Sequence, residues 1–343
     1  MRKLLNTLFV SLEDAYATLD GENVVIKQDN EVKGRFPLHI LQGIYMFSYQ
    51  GASPALMGKC AELGIDLVFC TPRGRFLARA CGRSRGNVLL RREQYRIADD
   101  TDRRMQIARN FIFGKISNSR HVLARTRRDH PDRINTELFS EAEEKLKGII
   151  EQTLAETNAE SLLGLEGAAS IIYFGRFDDM ILRNKESFFF RERNRRPPLD
   201  NVNAMLSFVY MMLANDCANA LETVGLDSYV GFFHTDRPGR ASLSLDLMEE
   251  LRSCMADRFV ITMINDRMVE VDGFEKQDNG AILLSEDTRK RIQKEWHERK
   301  QDKIEHPFLK EKVEWGMVPY VQALLLARFI RGDIDGYPPF LWK

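Results

Sequence analysis

Hydrophobic positions along the chain change their period once. Ahead of the change, short runs read as strands. Residues 4–10 are a single apolar run. Residues 15–19 and 24–27 flank Asp20-Gly21-Glu22-Asn23, a hairpin signal. Asp29 and Asn30 offer a second turn before a strand over 31–38, and 43–49 gives a further strand. Ser53-Pro54 places an N-cap before a proline at the first helical position, so a helix is predicted from there to Leu63. Gly64 supplies its stop. Residues 65–70 and 76–80 complete a sheet.

The texture changes across residues 82–86, and from Asn87 onward the apolar positions recur at helical spacing. Residues 87–98 predict an arginine-rich helix that 99–115 continues. Residues 137–155 predict an amphipathic acidic helix, and 159–182 a further one rich in glycine and alanine. Residues 184–200 form a basic loop leading into 202–224, apolar on every side and so buried. Residues 258–271 are expected to be helical. Residues 269–284 read as a small hairpin, 287–303 as a charged helix and 312–331 as an amphipathic helix stopped by Gly332. The pattern therefore predicts an α+β fold. A β-rich N-terminal domain over 1–84, a small sheet or sandwich with one helix, precedes a larger all-α domain over 85–343.

Composition narrows the class. At 343 residues, one large or two medium domains are expected. A hydrophobic share of 44% and a charged share of 29% describe an ordinary globular protein. No apolar run has the length of a membrane span, and the N-terminal run reads as a first strand rather than a signal peptide. Cys60, Cys70, Cys81, Cys217 and Cys254 are scattered with no Cys-x-x-Cys pair, so buried thiols in a reducing cytoplasm are expected. The net charge of zero hides segregation: residues 73–133 hold 17 Arg or Lys against 6 Asp or Glu. A second basic cluster follows at Arg191, Arg193, Arg195 and Arg196. Segregated arginine is the footprint of a polyanionic ligand, and its alternative is a solvated helix face laced with ion pairs.

The candidate chemistry gathers in residues 229–252. His234 closes an apolar run, a Pro-Gly turn follows, and a helix is expected to open with Asp246 in its first turn and Glu249 three residues on. Positions i and i+3 share a helix face, so Asp246 and Glu249 are expected to point the same way. Imidazole with carboxylate suits Mn, Mg or Zn. Glu166 lies among small and apolar residues of a predicted helix, where an unpaired carboxylate is costly; it either meets a cation or faces solvent. No Gly-x-Ser-x-Gly elbow, P-loop or dinucleotide fingerprint is present. A metal-dependent enzyme acting on phosphodiesters uses both features, a divalent ion and arginine on the backbone.

Longer motifs carry a resemblance. They include Gly51-Ala52-Ser53-Pro54-Ala55-Leu56-Met57, Gly74-Arg75-Phe76-Leu77-Ala78-Arg79 and Gly86-Asn87-Val88-Leu89-Leu90-Arg91-Arg92. Leu165-Glu166-Gly167, Phe232-Phe233-His234-Thr235-Asp236-Arg237-Pro238-Gly239-Arg240 and Asp246-Leu247-Met248-Glu249-Glu250-Leu251-Arg252 follow. With these the chain resembles the CRISPR-associated endonuclease and integrase family, the core enzyme of spacer acquisition, in its subtype I-C branch. The resemblance implies Glu166, His234 and Glu249 as ligands of Mg2+ or Mn2+, with Asp246 supporting. It implies a homodimer working with the small second CRISPR adaptation protein on double-stranded DNA, both the incoming fragment and the array repeat. The implied reaction is transesterification by a fragment's 3′ hydroxyl. The alternatives are a general nuclease for branched or linear DNA, or a non-catalytic DNA scaffold. Arg91, Arg92, Arg96, Arg193, Arg195 and Arg196 are the candidate DNA contacts.

Overall fold

The computed structural model describes residues 7–12, 14–72, 76–80, 88–194 and 196–342. Arg195, Cys81, Gly74, Arg75 and the predicted boundary at 82–86 lie outside the described residues.

Strands dominate the N-terminal part: β1 (Thr7–Val10), β2 (Tyr16–Asp20), β3 (Asn23–Gln28), β4 (Glu31–Pro37), β5 (Gly43–Met46), then α1 (Pro54–Leu63), β6 (Asp66–Cys70) and β7 (Phe76–Ala80). They make two sheets. β2, β3 and β4 form an antiparallel meander, and the other runs in the order β1-β5-β6-β7, parallel until β7 turns back. The turns follow the sequence. Asp20 pairs with Asn23 across Gly21 at φ 57°, and Asp29 and Asn30 sit at φ 52° and 64°, the left-handed pair that joins β3 to β4. The Ser53 hydroxyl accepts from Leu56 N at 3.2 Å and Gly64 closes α1 at φ 69°.

β5 and β6 are buried on both faces. Ile44, Met46 and Leu67 enter a small core with Val24, Ile26 and Leu56, while Tyr45, Phe47, Val68 and Cys70 point into the large helical core. Successive strand side chains alternate in direction, so a run with no polar partner positions is what a shared strand requires.

The remainder is mostly helical: α2 (Val88–Asp99), α3 (Thr101–Asp129), α4 (Thr136–Ala155), α5 (Ala159–Phe174), α6 (Asn201–Thr223), α7 (Ser242–Glu249), α8 (Arg258–Asn265), α9 (Glu286–Gln301) and α10 (Val318–Arg331). Short antiparallel ribbons complete the order: β8 (Phe274–Lys276) with β9 (Ile282–Leu284), and β10 (Lys303–Glu305) with β11 (Lys312–Glu314). α6 is the axis of the large core, burying Val202, Met205, Leu206, Val209, Leu213, Cys217 and Leu221. The β-sheet region followed by a mostly helical region agrees with the expected fold class.

Several boundaries differ. The helix expected to continue through residue 99 breaks at Asp100, whose carboxylate accepts from Asp102 N and Arg103 N at 3.1 Å and caps α3. The helix expected over 312–331 starts at Val318, because Pro319 belongs in a first turn, and 312–314 pairs instead as β11. The stretch 258–271 is helical only to Asn265, and α7 begins at Ser242, four residues before Asp246. Cys60, Cys70, Cys217 and Cys254 are free and buried. No described helix is long and apolar enough to cross a membrane.

Candidate active site

Glu166, His234 and Glu249 come from three elements. Glu166 stands midway along α5, His234 in the loop between α6 and α7, and Glu249 at the last position of α7. The loop is held first. Gln94 of α2 donates to the carbonyls of Asp227 and Val230 at 2.8 and 3.0 Å and accepts from Asp227 N at 2.9 Å. Arg104 donates to Phe232 O at 2.7 Å.

Asp246 completes the hold. It is fully buried. Its Oδ2 accepts from Phe232 N and Phe233 N at 2.7 and 3.0 Å, and its Oδ1 from His234 N at 2.9 Å. The same Oδ1 lies 2.7 Å from His234 Nδ1. A carboxylate is acceptor-only, so Nδ1 carries the proton and Nε2 keeps its lone pair for a ligand. Asp246 lies in the middle of α7 rather than in its first turn, which holds no acid. Asp246 and Glu249 serve different partners: Asp246 faces the His234 loop, and Glu249 faces α3.

The two glutamates meet one cation. Lys115 of α3 donates from Nζ to Oε1 of Glu166 and lies 2.8 Å from Oε2 of Glu249. Ser170 Oγ, one turn along α5, donates to the same Glu166 oxygen at 2.9 Å. Arg252 Nη1 reaches both Glu249 oxygens at 2.8 and 3.1 Å, and its guanidinium lies over the Tyr210 ring at 4.6 Å. Burial pushes the Glu249 carboxyl up, but Arg252, Lys115 and His234 outweigh it and draw it down to about 2. Glu249 is thus held ionised. It opens to solvent through the His234 and Glu166 side chains, 25% and 18% exposed.

The donor set of two carboxylates and one imidazole with a fixed tautomer fits a hard divalent ion. Among the described residues no three such groups stand together as a ready metal cluster. Lys115 and Arg252 now fill the carboxylate oxygens that an ion would take. The residues fit the ion in chemistry and in shared charge, with Lys115 as the present counter-charge.

Lys115 is absent from the expectations, although the sequence signals it. It falls in the α3 stripe of Ile107, Phe111, Ile112, Ser119 and Val122, and is buried with them. A lysine on an apolar face is rarely unpaired. Ser170 and Arg252 are signalled only by spacing, standing four residues from Glu166 and three from Glu249.

The arginine candidates divide. Arg91 is half-buried, whereas Arg92 and Arg96 are exposed on α2. Arg92 and Arg96 join Arg103 and Arg331 in lining a groove of about 750 Å3 that also holds Glu93 and Asp333. Glu93 pairs there with Arg96 at 3.3 Å and Arg103 at 2.6 Å. Arg193 turns inward: its guanidinium reaches Asn203 Oδ1 at 2.6 Å and Ser207 Oγ at 3.1 Å and lies over Tyr210 at 5.2 Å. Arg196 is exposed.

Fold and site together define a class, a protein whose β-sheet region precedes a helical region that brings two glutamates onto one cation and pins an imidazole on a buried aspartate. Residues 8–298 match the family described as CRISPR associated protein Cas1. A curated relative, "CRISPR-associated endonuclease Cas1 1" of Chlorobaculum tepidum, is 46% identical over 343 residues, all of both chains. The chain belongs to this Cas1 family. Among solved structures, "Casposase bound to integration product" superposes with a TM-score of 0.82 at 22% identity, covering 98% of this chain and 94% of that one. A chain of "Cas6-RT-Cas1--Cas2 complex" gives 0.82 at 24% identity over 99% of this chain, which spans 36% of that longer chain. At these identities the two structures share the fold.

Proposed function

We propose that this chain is a metal-dependent DNA endonuclease and integrase of CRISPR adaptation, of the subtype I-C branch, inserting short duplex fragments into the array. The observation that carries the reading is the convergence of Glu166 and Glu249 on one cation beside His234, whose Nδ1 is pinned by Asp246. Glu166, His234 and Glu249 would hold Mg2+ or Mn2+, and the ion when bound supplies stabilisation of charge building on the phosphate. The chain's own part is arrangement. Asp246 fixes the direction of the imidazole and leaves the Nε2 lone pair free. Arg252 keeps Glu249 ionised and oriented. Arg92 and Arg96 on α2, together with Arg91 and Arg196, would bear on the DNA backbone without reading sequence.

The relative named as an endonuclease supports the nuclease part, and the casposase fold neighbour supports strand transfer. The fold neighbour whose complex contains Cas2 supports the small adaptation protein as partner. The β-rich region, residues 1–84, is proposed as the dimerisation domain and residues 85–343 as the catalytic domain.

A repeat-containing plasmid, a short duplex and the small partner protein test this with Mn2+ or Mg2+. Joined product is expected, together with its loss on chelation. Glu166→Ala and His234→Ala are each expected to lower joining at least a hundredfold, about 2.7 kcal/mol of barrier, with DNA binding kept. Cutting without joining favours the general-nuclease alternative. Full metal-dependent activity in either variant overturns the site.

A further inference from the structure

Lys115 is the member of the site that the proposed reaction leaves without a task. Its position is specific. Nζ donates to Glu166 and sits 2.8 Å from Glu249, so it occupies the point that lies within bonding distance of both carboxylates. The side chain is 11% exposed, and α3 delivers it from a stripe that includes Phe111, Ile112 and Ile116. The stem is mostly buried, and the polar contacts of Nζ among the described residues are these two carboxylates.

A divalent ion held by both Glu166 and Glu249 would compete for the same point. Two cations cannot share it, and the Glu249 oxygens are already crowded, Arg252 bonding both and Lys115 meeting Oε2 as well. Metal binding and the Lys115 bridge are therefore alternatives. Without either, two carboxylates would face each other across a mostly buried site, where like charges repel strongly.

We propose that Lys115 is an exchangeable resident counter-ion: it neutralises and holds Glu166 and Glu249 in the metal-free protein and releases both when a divalent ion binds. This rests on the reading of Glu166, His234 and Glu249 as metal ligands. It assigns Lys115 a positioning role with two consequences. The acidic pair stays assembled before the ion arrives, and the ion's affinity is lowered by the competition.

The test uses the full chain and Mn2+ as probe, with free Mn2+ followed by electron paramagnetic resonance. Lys115→Met is expected to bind Mn2+ at least tenfold more tightly than the parent and, metal-free, to melt at lower temperature, with Mn2+ restoring the loss. Lys115→Arg, which keeps the charge, is expected to bind within a few-fold of the parent. A second arm needs no variant. Acylation of Lys115 by an amine reagent, quantified by mass spectrometry, is expected to run severalfold faster with saturating Mn2+ than without. Equal affinity of parent and Lys115→Met overturns the exchange, and so does labelling that Mn2+ leaves unchanged. The underlying ligand reading fails by a different sign: a Glu166→Gln variant that binds Mn2+ as tightly as the parent.

Discussion

Four donors converge on the two oxygens of Asp246: the amides of Phe232, Phe233 and His234, and the His234 ring. The resemblance ranks Asp246 as a supporting acid, and its bonds give that support a physical form, a clamp on the loop that also sets a tautomer. Asp246→Asn puts an amide NH2 against donors on one side. A loss on the order of 2–3 kcal/mol in stability is expected from the stranded amides, with strand joining lost as well, and urea unfolding alongside the joining assay measures both. A variant as stable as the parent would mean the clamp carries no load. Gly231 guards the same loop by its bareness. A Cβ there would lie 2.7 Å from His234 O, 2.8 Å from Ser242 Cβ and 3.0 Å from Asp246 Oδ2. One of those atoms, Asp246 Oδ2, belongs to the clamp and another is the His234 carbonyl, so Gly231→Ala is expected to displace His234 and abolish joining while far-ultraviolet circular dichroism stays near that of the parent; unchanged joining would show that the loop has slack. At this scale the sequence conveyed residue types and little of their pairing. His234, Asp246 and Glu249 share one stretch and could be seen together. Glu166 lies far upstream and reached the site only through family resemblance. Lys115 is absent from the expectations, and what it faces depends on α5 and α7 meeting α3.

Elements were legible wherever local chemistry closes them. Ser53, Pro54 and Gly64 bound α1 as their residue types require, and the Asp29-Asn30 turn joins β3 to β4 in the expected place. Elements were missed where a local pattern is ambiguous. No glycine or proline interrupts residues 96–104, and it is the Asp100 carboxylate, folded back on Asp102 N and Arg103 N, that caps the start of the second helix. That break matters, because it lets α2 carry Gln94 to the His234 loop while α3 carries Lys115 to the glutamates. Asp100→Ala removes the acceptor and is expected to cost about 1 kcal/mol, read from the denaturation midpoint. Amide exchange should quicken first in the opening turn of α3, and exchange that stays as slow as in the parent would show that the cap is not what holds that turn. The β10–β11 ribbon escaped notice for another reason. Its strands are three residues each, stabilised by pairing rather than by any apolar run, and charged residues fill most of both.

The whole molecule is joined through β5 and β6, which serve two cores at once, and a cluster of charges sits where they meet the helices. The sequence predicts a strand over 43–49; that its alternate members enter different cores follows only from the second layer. Asp66, on the helical side of β6, is 6% exposed, with Arg79 Nε 3.8 Å away. Arg79 also bonds Glu222 of α6, and Lys300 of α9 bonds Asp216 at 2.9 and 3.0 Å. Three acids thus share two bases across this junction. Burial pushes the Asp66 carboxyl up to about 7 against the pull of Arg79, with Glu222 and Asp216 adding to the rise. The folded value lies above the unfolded 3.8, so between these the folded chain keeps a proton that the unfolded chain has released. Stability then falls as pH rises through that window and levels off above it. The full effect is at most about 4 kcal/mol, since each tenfold difference in proton affinity between the folded and unfolded chain is worth about 1.4 kcal/mol. Asp66→Asn mimics the protonated carboxyl at every pH. Relative to the parent it is expected to be near neutral at pH 4 and to gain stability steadily toward pH 8, measured by urea unfolding at fixed ionic strength. A difference between the two chains that stays flat across that range would mean Asp66 is ionised in the fold, and that the junction is held by a full set of charges rather than by one carboxyl kept neutral.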